Sequence, residues 1–141
     1  MGLPRGEIRK ILVGVDGSKC SDAAAVFAGD LALKYGAEIT LLHVHRPPET
    51  TRDLPAHELK AEAPKNLESA KALLLGKGVT CKAMVLSGSP ANMILTESSK
   101  GYDLLVLGNR GMGAMEGFLL GSVSSKVVHH SKVPTLIVPC D

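Results

Sequence analysis

Five glycines fall in one short stretch, Gly108, Gly111, Gly113, Gly117 and Gly121, with Ser122 and Ser124 directly behind them. Glycines leave peptide N–H groups uncovered by side chains. A helix start adds unpaired N–H groups and the positive end of its dipole, so the two together make a site for an anion such as phosphate. Ser122 and Ser124 can add hydroxyl donors, and Arg110 lies in the same stretch, within reach of a bound phosphate. Glycine richness alone also serves tight turns and surface flexibility, so the stretch by itself leaves both readings open. A second segment, GVDGS at 14–18, carries Asp16 in a turn. An aspartate there bonds its own backbone or caps the helix that follows.

The remaining chemistry-bearing residues say less. His43 and His45 share one face of a strand, but no third metal ligand is identifiable near them. His129 and His130 end a helix, where the dipole favours histidine, and His57 reads as a surface residue. Cys20, Cys81 and Cys140 are odd in number and far apart, without a CxxC pair, and read as thiols in a reducing compartment.

These residues need a scaffold, and the bulk numbers limit the choice. With 141 residues the chain suits one domain spanning 1–141, with no room for a second. It is 45% apolar and 21% charged, with 3% aromatic residues and no Trp, so a core of Val, Leu, Ile and Ala is expected and disorder is not. The net charge of +2 comes from scattered Lys and Arg, which argues against a nucleic-acid partner. No apolar stretch approaches the roughly 18 residues of a membrane span, and the opening MGLPRGEIRK lacks the apolar middle of a signal peptide, so a cytoplasmic location off the membrane is expected.

Apolar periodicity predicts the elements. Ile11, Leu12 and Val13 form a short buried strand of parallel type. A helix capped by Ser18 should run to Tyr35 and end at Gly36, with Ala24, Phe27, Ala28, Leu31 and Tyr35 as its apolar stripe. Residues 39–44 repeat the strand signature, and residues 45–55, with three prolines, read as a loop. The next helix carries Leu59, Ala63, Leu67, Ala70 and Leu74; Pro64 either kinks it or sits in its first turn. Residues 79–86 are a less apolar strand, expected near a sheet edge. Ser89-Pro90 then starts a helix, with Ala91, Ile94, Leu95 and Ser98 inward and Gly101 closing it. Residues 104–107 form a fourth strand, SVSSKVVHH a last helix capped near Ser122, and residues 133–138 a final strand whose Pro134 suits an edge or a strand start. Five strands separated by helices describe an open, doubly wound parallel sheet. Ligands bind such sheets beyond the carboxyl ends of the strands, where the strand order reverses.

The spacing Gly108-x-x-Gly111, nine residues, then Gly121-Ser122 resembles the nucleotide-binding signature of the ATP-binding branch of the universal stress protein family. Neither a Walker A loop nor a Rossmann GxGxxG is present in the required context. ILVGVDGS and LLHV are similar to the family's first and second strands, Ser87-Gly88-Ser89-Pro90 to the turn before its third helix, and VPTLIVP to its closing strand. The resemblance implies an adenine nucleotide alpha hydrolase-like sheet of order 3-2-1-4-5. It also implies adenine near Gly14, Val15 and Val44, with Leu107 in the same site, and ribose near Asp16 and Gly108. The phosphates would meet Gly111, Gly121, Ser122, Val123 and Ser124, with Gly113 and Arg110 in the same loop. Asp16 would also help place Mg2+ or Mn2+. Glu116, Met112 and Met115 occupy positions that the signature leaves free.

The resemblance implies a stress-response or signalling module that holds ATP as a homodimer joined through its last strand, with at most slow hydrolysis. A slow ATPase enzyme and a nucleotide-free interaction protein are the alternatives. No base for attacking water is evident apart from Asp16.

Overall fold

The computed structural model describes residues 7–46, 63–111 and 120–140. Five parallel strands, β1 (Lys10–Gly14), β2 (Glu38–His45), β3 (Cys81–Ser87), β4 (Leu104–Gly108) and β5 (Thr135–Val138), form one sheet of order β3-β2-β1-β4-β5. Among the described residues four helices lie between them: α1 (Lys19–Tyr35), α2 (Ala63–Gly76), α3 (Pro90–Ser98) and α4 (Ser122–His130). Because β1 has β2 on one side and β4 on the other, the order reverses between β1 and β4, and their carboxyl ends open into one crevice.

Both faces of the sheet are covered. On one, Ile11, Val13, Leu41 and Val106 pack against Ala24, Ala28 and Ala32 of α1 and Leu67, Ala70 and Leu74 of α2. On the other, Leu12, Leu42, Leu105 and Leu107 meet Ala91 and Ile94 of α3 and Val127 of α4. Alternation along β1 therefore feeds both cores, as a central parallel strand requires.

Helix α1 starts where expected, with Ser18 Oγ accepting the N–H of Ser21 at 3.1 Å, and it ends on Gly36 in the left-handed region, φ 67°. Its inward stripe differs from the sequence reading. Small residues, Ala24, Ala25, Ala28, Gly29 and Ala32, are its buried side, Gly29 against Leu74 of the following helix, whereas Phe27 and Tyr35 are 46% and 56% exposed. Alanines bring the helix close to the strands, and the larger side chains lie outside that contact.

Pro64 falls in the first turn of the described helix α2, and Leu67, Ala70 and Leu74 are buried as expected. Leu59, His57 and most of the expected loop lie outside the described residues. Strand β3 is an outer strand with a part-exposed pattern, as its composition predicts. Strand β5 is the other outer strand, and Pro134 precedes it, where its missing N–H costs no ladder bond.

Two helix ends depart from expectation. Ser89 is the N-cap of α3 by position but makes no side-chain cap bond. That helix stops at Ser98 with Ser99 as its cap, three residues before Gly101, where the Ser98 and Ser99 hydroxyls bond back to the carbonyls of Leu95 and Thr96.

Candidate functional site

A cleft of about 330 Å³ opens at the carboxyl ends of β1 and β4. Gly14, Val15, Asp16, Val44, Leu107, Gly108, Arg110, Gly111, Gly121, Ser122, Val123 and Ser124 all line it. Gly113, together with Met112, Met115, Glu116 and Gly117, lies outside the described residues. Ser21, Leu42, Pro90 and Ile94 line it as well and were not singled out as site residues in the sequence. Strand periodicity would have found Leu42, two residues before Val44 and on the same side. Ile94 follows from α3 covering that face, which is a matter of topology rather than of local pattern.

The cleft has two unlike ends. Leu42, Val44, Pro90, Ile94 and Leu107 make an apolar slot. At the other end the N-terminus of α4 points into the cleft. Gly121 is its N-cap and offers no side chain, and the helical ladder begins with Ser125 N–H bonded to Gly121 O at 2.9 Å. The N–H groups of Ser122, Val123 and Ser124 thus precede the ladder, with the dipole behind them. Ser122 is the first helical residue and the cap is its neighbour Gly121, in line with a cap expected near Ser122.

Two of the expected donors are already engaged. Gly121 N–H bonds Asn109 O at 2.7 Å. Ser124 Oγ, buried, donates its single hydrogen to Asn109 O at 2.8 Å, with Gly121 O at 3.2 Å, so it shapes the loop instead of presenting a hydroxyl to an anion.

Asn109 is the residue the sequence reading missed. It is 7% exposed; its N–H bonds Val138 O at 3.1 Å, and its side-chain oxygen accepts the N–H of Cys140 at 3.3 Å. It joins the end of β4, the end of β5 and the start of α4 into one knot. No sequence signal marks it, because most of its work is done by backbone atoms.

Asp16 makes a turn bond and also lines the cleft. Oδ1 accepts the N–H of Ser18 at 2.9 Å, the expected local turn bond. Oδ2 faces Gly111, where any Cβ would collide with it, so the carboxylate spans the gap between the two loops. Gly108 is required by close approach: a Cβ there would lie 2.7 Å from the backbone oxygen of Cys20.

The GVDGS turn is held from behind. Val15 N–H bonds Leu42 O at 2.8 Å, and buried His43 donates from Nδ1 to Val15 O at 2.9 Å. Nε2 of His43 faces the Asn66 amide at 3.5 Å. His43 is thereby a brace for the turn. His45 shares its strand face, and among the described residues no three His, Cys, Asp or Glu side chains gather as a metal cluster. His129 and His130 are exposed at the end of α4.

The cysteines also require a correction. Cys20 and Cys140 are bonded to each other, with Cα atoms 5.3 Å apart, and only Cys81 is a free thiol. Their separation of 120 residues hid this pairing from the sequence. Burial pushes the Cys81 thiol up from its ordinary pKa, against a smaller opposing pull from Lys71.

The model of the Universal stress protein family matches residues 7–139. The chain is 38% identical to the universal stress protein YxiE of Bacillus subtilis, over 92% of this chain and 97% of that protein. Among solved structures, it resembles a universal stress protein in complex with cAMP, with a TM-score of 0.75 and 27% identity over 95% of this chain and 98% of that one. It also resembles a family protein from Arabidopsis thaliana with AMP bound, with a TM-score of 0.66 and 26% identity over 94% and 92% of the two chains.

Proposed function

The chain belongs to the universal stress protein family, and from that premise we propose that it is an ATP-binding stress-response or signalling module, acting in the cytoplasm as a nucleotide-occupied homodimer with at most slow hydrolysis. The observation that carries this reading is the joining of an apolar slot and an open helix start in one cleft. Adenine suits the slot between Val44, Ile94 and Leu107. The phosphates suit the N–H groups at the start of α4, with Arg110 on the same wall, and ribose lies between them near Asp16 and Gly108. Two similar family proteins were solved with cAMP and with AMP, which supports an adenine nucleotide as the ligand class.

A divalent ion, Mg2+ or Mn2+, fits as a companion of the phosphates. Asp16 presents one carboxylate between the two loops, and such ions are commonly held by one or two carboxylates plus phosphate oxygens and water. When bound, the ion would neutralise phosphate charge. Slow turnover is expected because, of the described residues lining the cleft, Asp16 is the one carboxylate and none is a histidine. A base aimed at an attacking water is thus hard to find there.

The dimer is assigned to β5. As an outer strand it leaves one row of backbone groups for a second copy, which would pair about a twofold axis. A monomer by sedimentation at micromolar concentration would rule this out. The test of the main reading is mass spectrometry of nucleotide released from the freshly purified, heat-denatured protein, with calorimetry of added ATP and Mg2+. ATP near one per chain is the expected result. ADP or AMP would favour an enzyme, and absence of both native nucleotide and ATP binding would overturn the proposal.

A further inference from the structure

The bonded cysteines lie directly behind the phosphate end of the cleft. Cys20 is in the first turn of α1, with its backbone oxygen packed against Gly108, and Cys140 follows β5. Both sulfurs face the side-chain oxygen of Asn109, at 3.6 and 3.7 Å. The same Asn109 holds Gly121 N–H and the Ser124 hydroxyl through its backbone oxygen. One residue therefore contacts the sulfur pair on one side and the start of α4 on the other.

We propose that Cys20 and Cys140 are a reversible thiol–disulfide modification site, and that their bond tightens adenine-nucleotide binding by fixing Asn109; the second half of this inference rests on the nucleotide reading above. The Cα separation of 5.3 Å is within the range that a disulfide bridges. The oxidant class is a small-molecule disulfide such as oxidised glutathione. Cys140, the more exposed of the two, attacks it as thiolate and releases one small thiol, leaving a mixed disulfide. The buried Cys20 sulfur then attacks the Cys140 sulfur and releases the second small thiol. The two protein thiol protons end on the two released thiols, and the two electrons lost by the cysteines reduce the small disulfide.

The closed bond ties the segment after β5 to α1 and keeps Cys140 N–H on the Asn109 side chain. Asn109 then holds the start of α4 in its binding geometry before any ligand arrives, which lowers the ordering cost of binding. In the dithiol form that tether is lost. Cys81, on the outer strand β3, takes no part.

The experiment uses the full chain equilibrated in a series of reduced-to-oxidised glutathione ratios. Each sample is acid-quenched, unfolded, alkylated and mapped by mass spectrometry, and ATP with Mg2+ is titrated calorimetrically at both ends of the series. Expected are protection of Cys20 and Cys140 but not Cys81 at the oxidising end, and ATP affinity there roughly fivefold tighter, the lower end of ordinary site–site coupling. Cys140→Ser and, independently, Cys20→Ala should bind at the weaker level in both buffers, while Cys81→Ser keeps the full difference. Alkylation of Cys20 and Cys140 at every ratio would overturn the site, and protection with equal affinity would overturn the coupling alone. Protection with no ATP bound in either state would sink the nucleotide reading and the coupling with it.

Discussion

The two faces of the sheet are covered in different ways. Over one, α1 and α2 run 17 and 14 residues, and alanines let α1 settle close to the strands. Over the other, α3 and α4 are nine residues each and stop short, leaving the crevice between β1 and β4 open from that side. The long-helix face is a continuous core, while the short-helix face shares Leu42, Ile94 and Leu107 between core and cleft. The site therefore occupies the place where cover is thin, so changes on the two faces should separate stability from binding.

The sharpest separation is expected at Leu74, a fully buried residue of α2. Leu74→Ala should cost about 2–5 kcal/mol of stability by urea denaturation. ATP affinity of the folded variant should stay within about twofold, because distant sites rarely couple more strongly. A large affinity loss at Leu74 would break the comparison.

Gly108→Ala comes next, since its Cβ meets the Cys20 backbone oxygen and backbone cannot rotate away. Overpacking there should cost about 1–3 kcal/mol in the same denaturation assay and weaken nucleotide binding together with stability. Gly121→Val should behave in the opposite sense to Leu74→Ala. A Cβ at Gly121 meets nothing closer than 3.4 Å, so the fold should tolerate it. The branched side chain would nevertheless shield the start of α4, and ATP affinity should fall about tenfold, or ~1.4 kcal/mol, by calorimetry.

The smallest effect concerns Cys81, away from both. Its raised pKa leaves less thiolate near neutral pH, so alkylation of the folded chain should be slower than that of a free thiol and should accelerate only above the usual thiol range. Lys71→Met removes the one opposing pull and should slow it further. For linkage, a thiol whose folded pKa lies above its unfolded one favours the folded state at lower pH, and that contribution fades as pH rises through the folded pKa.

Much of this contrast was legible in the sequence. The strand runs, the Ser18 cap, the Gly36 stop and the edge character of residues 79–86 each follow from local pattern, and the structure agrees. The glycine spacing carried the family resemblance that named the cleft's residues, and it could do so because close approach and an uncapped helix start are backbone demands that glycine meets well. What pattern could not supply was orientation and long-range pairing. Phe27 and Tyr35 have the right period but the wrong angle, since an alanine-lined contact is as apolar as a bulky one. Cys20 meets Cys140 only because β4 brings β5 beside the start of α1. Asn109 and Ser124 act on backbone partners that no residue type advertises.

The reversed strand order has a further consequence, in time. Strand β1 is the middle of the sheet, yet its two neighbours come from residues 38–42 and 104–106. At ribosomal speed, Ile11, Leu12 and Val13 are made about 5–20 seconds before Leu104, Leu105 and Val106 exist to flank them. A strand whose Ile11, Leu12 and Val13 end fully buried is thus made well before its second flank, and the nascent chain must be kept from other strands until that neighbour emerges.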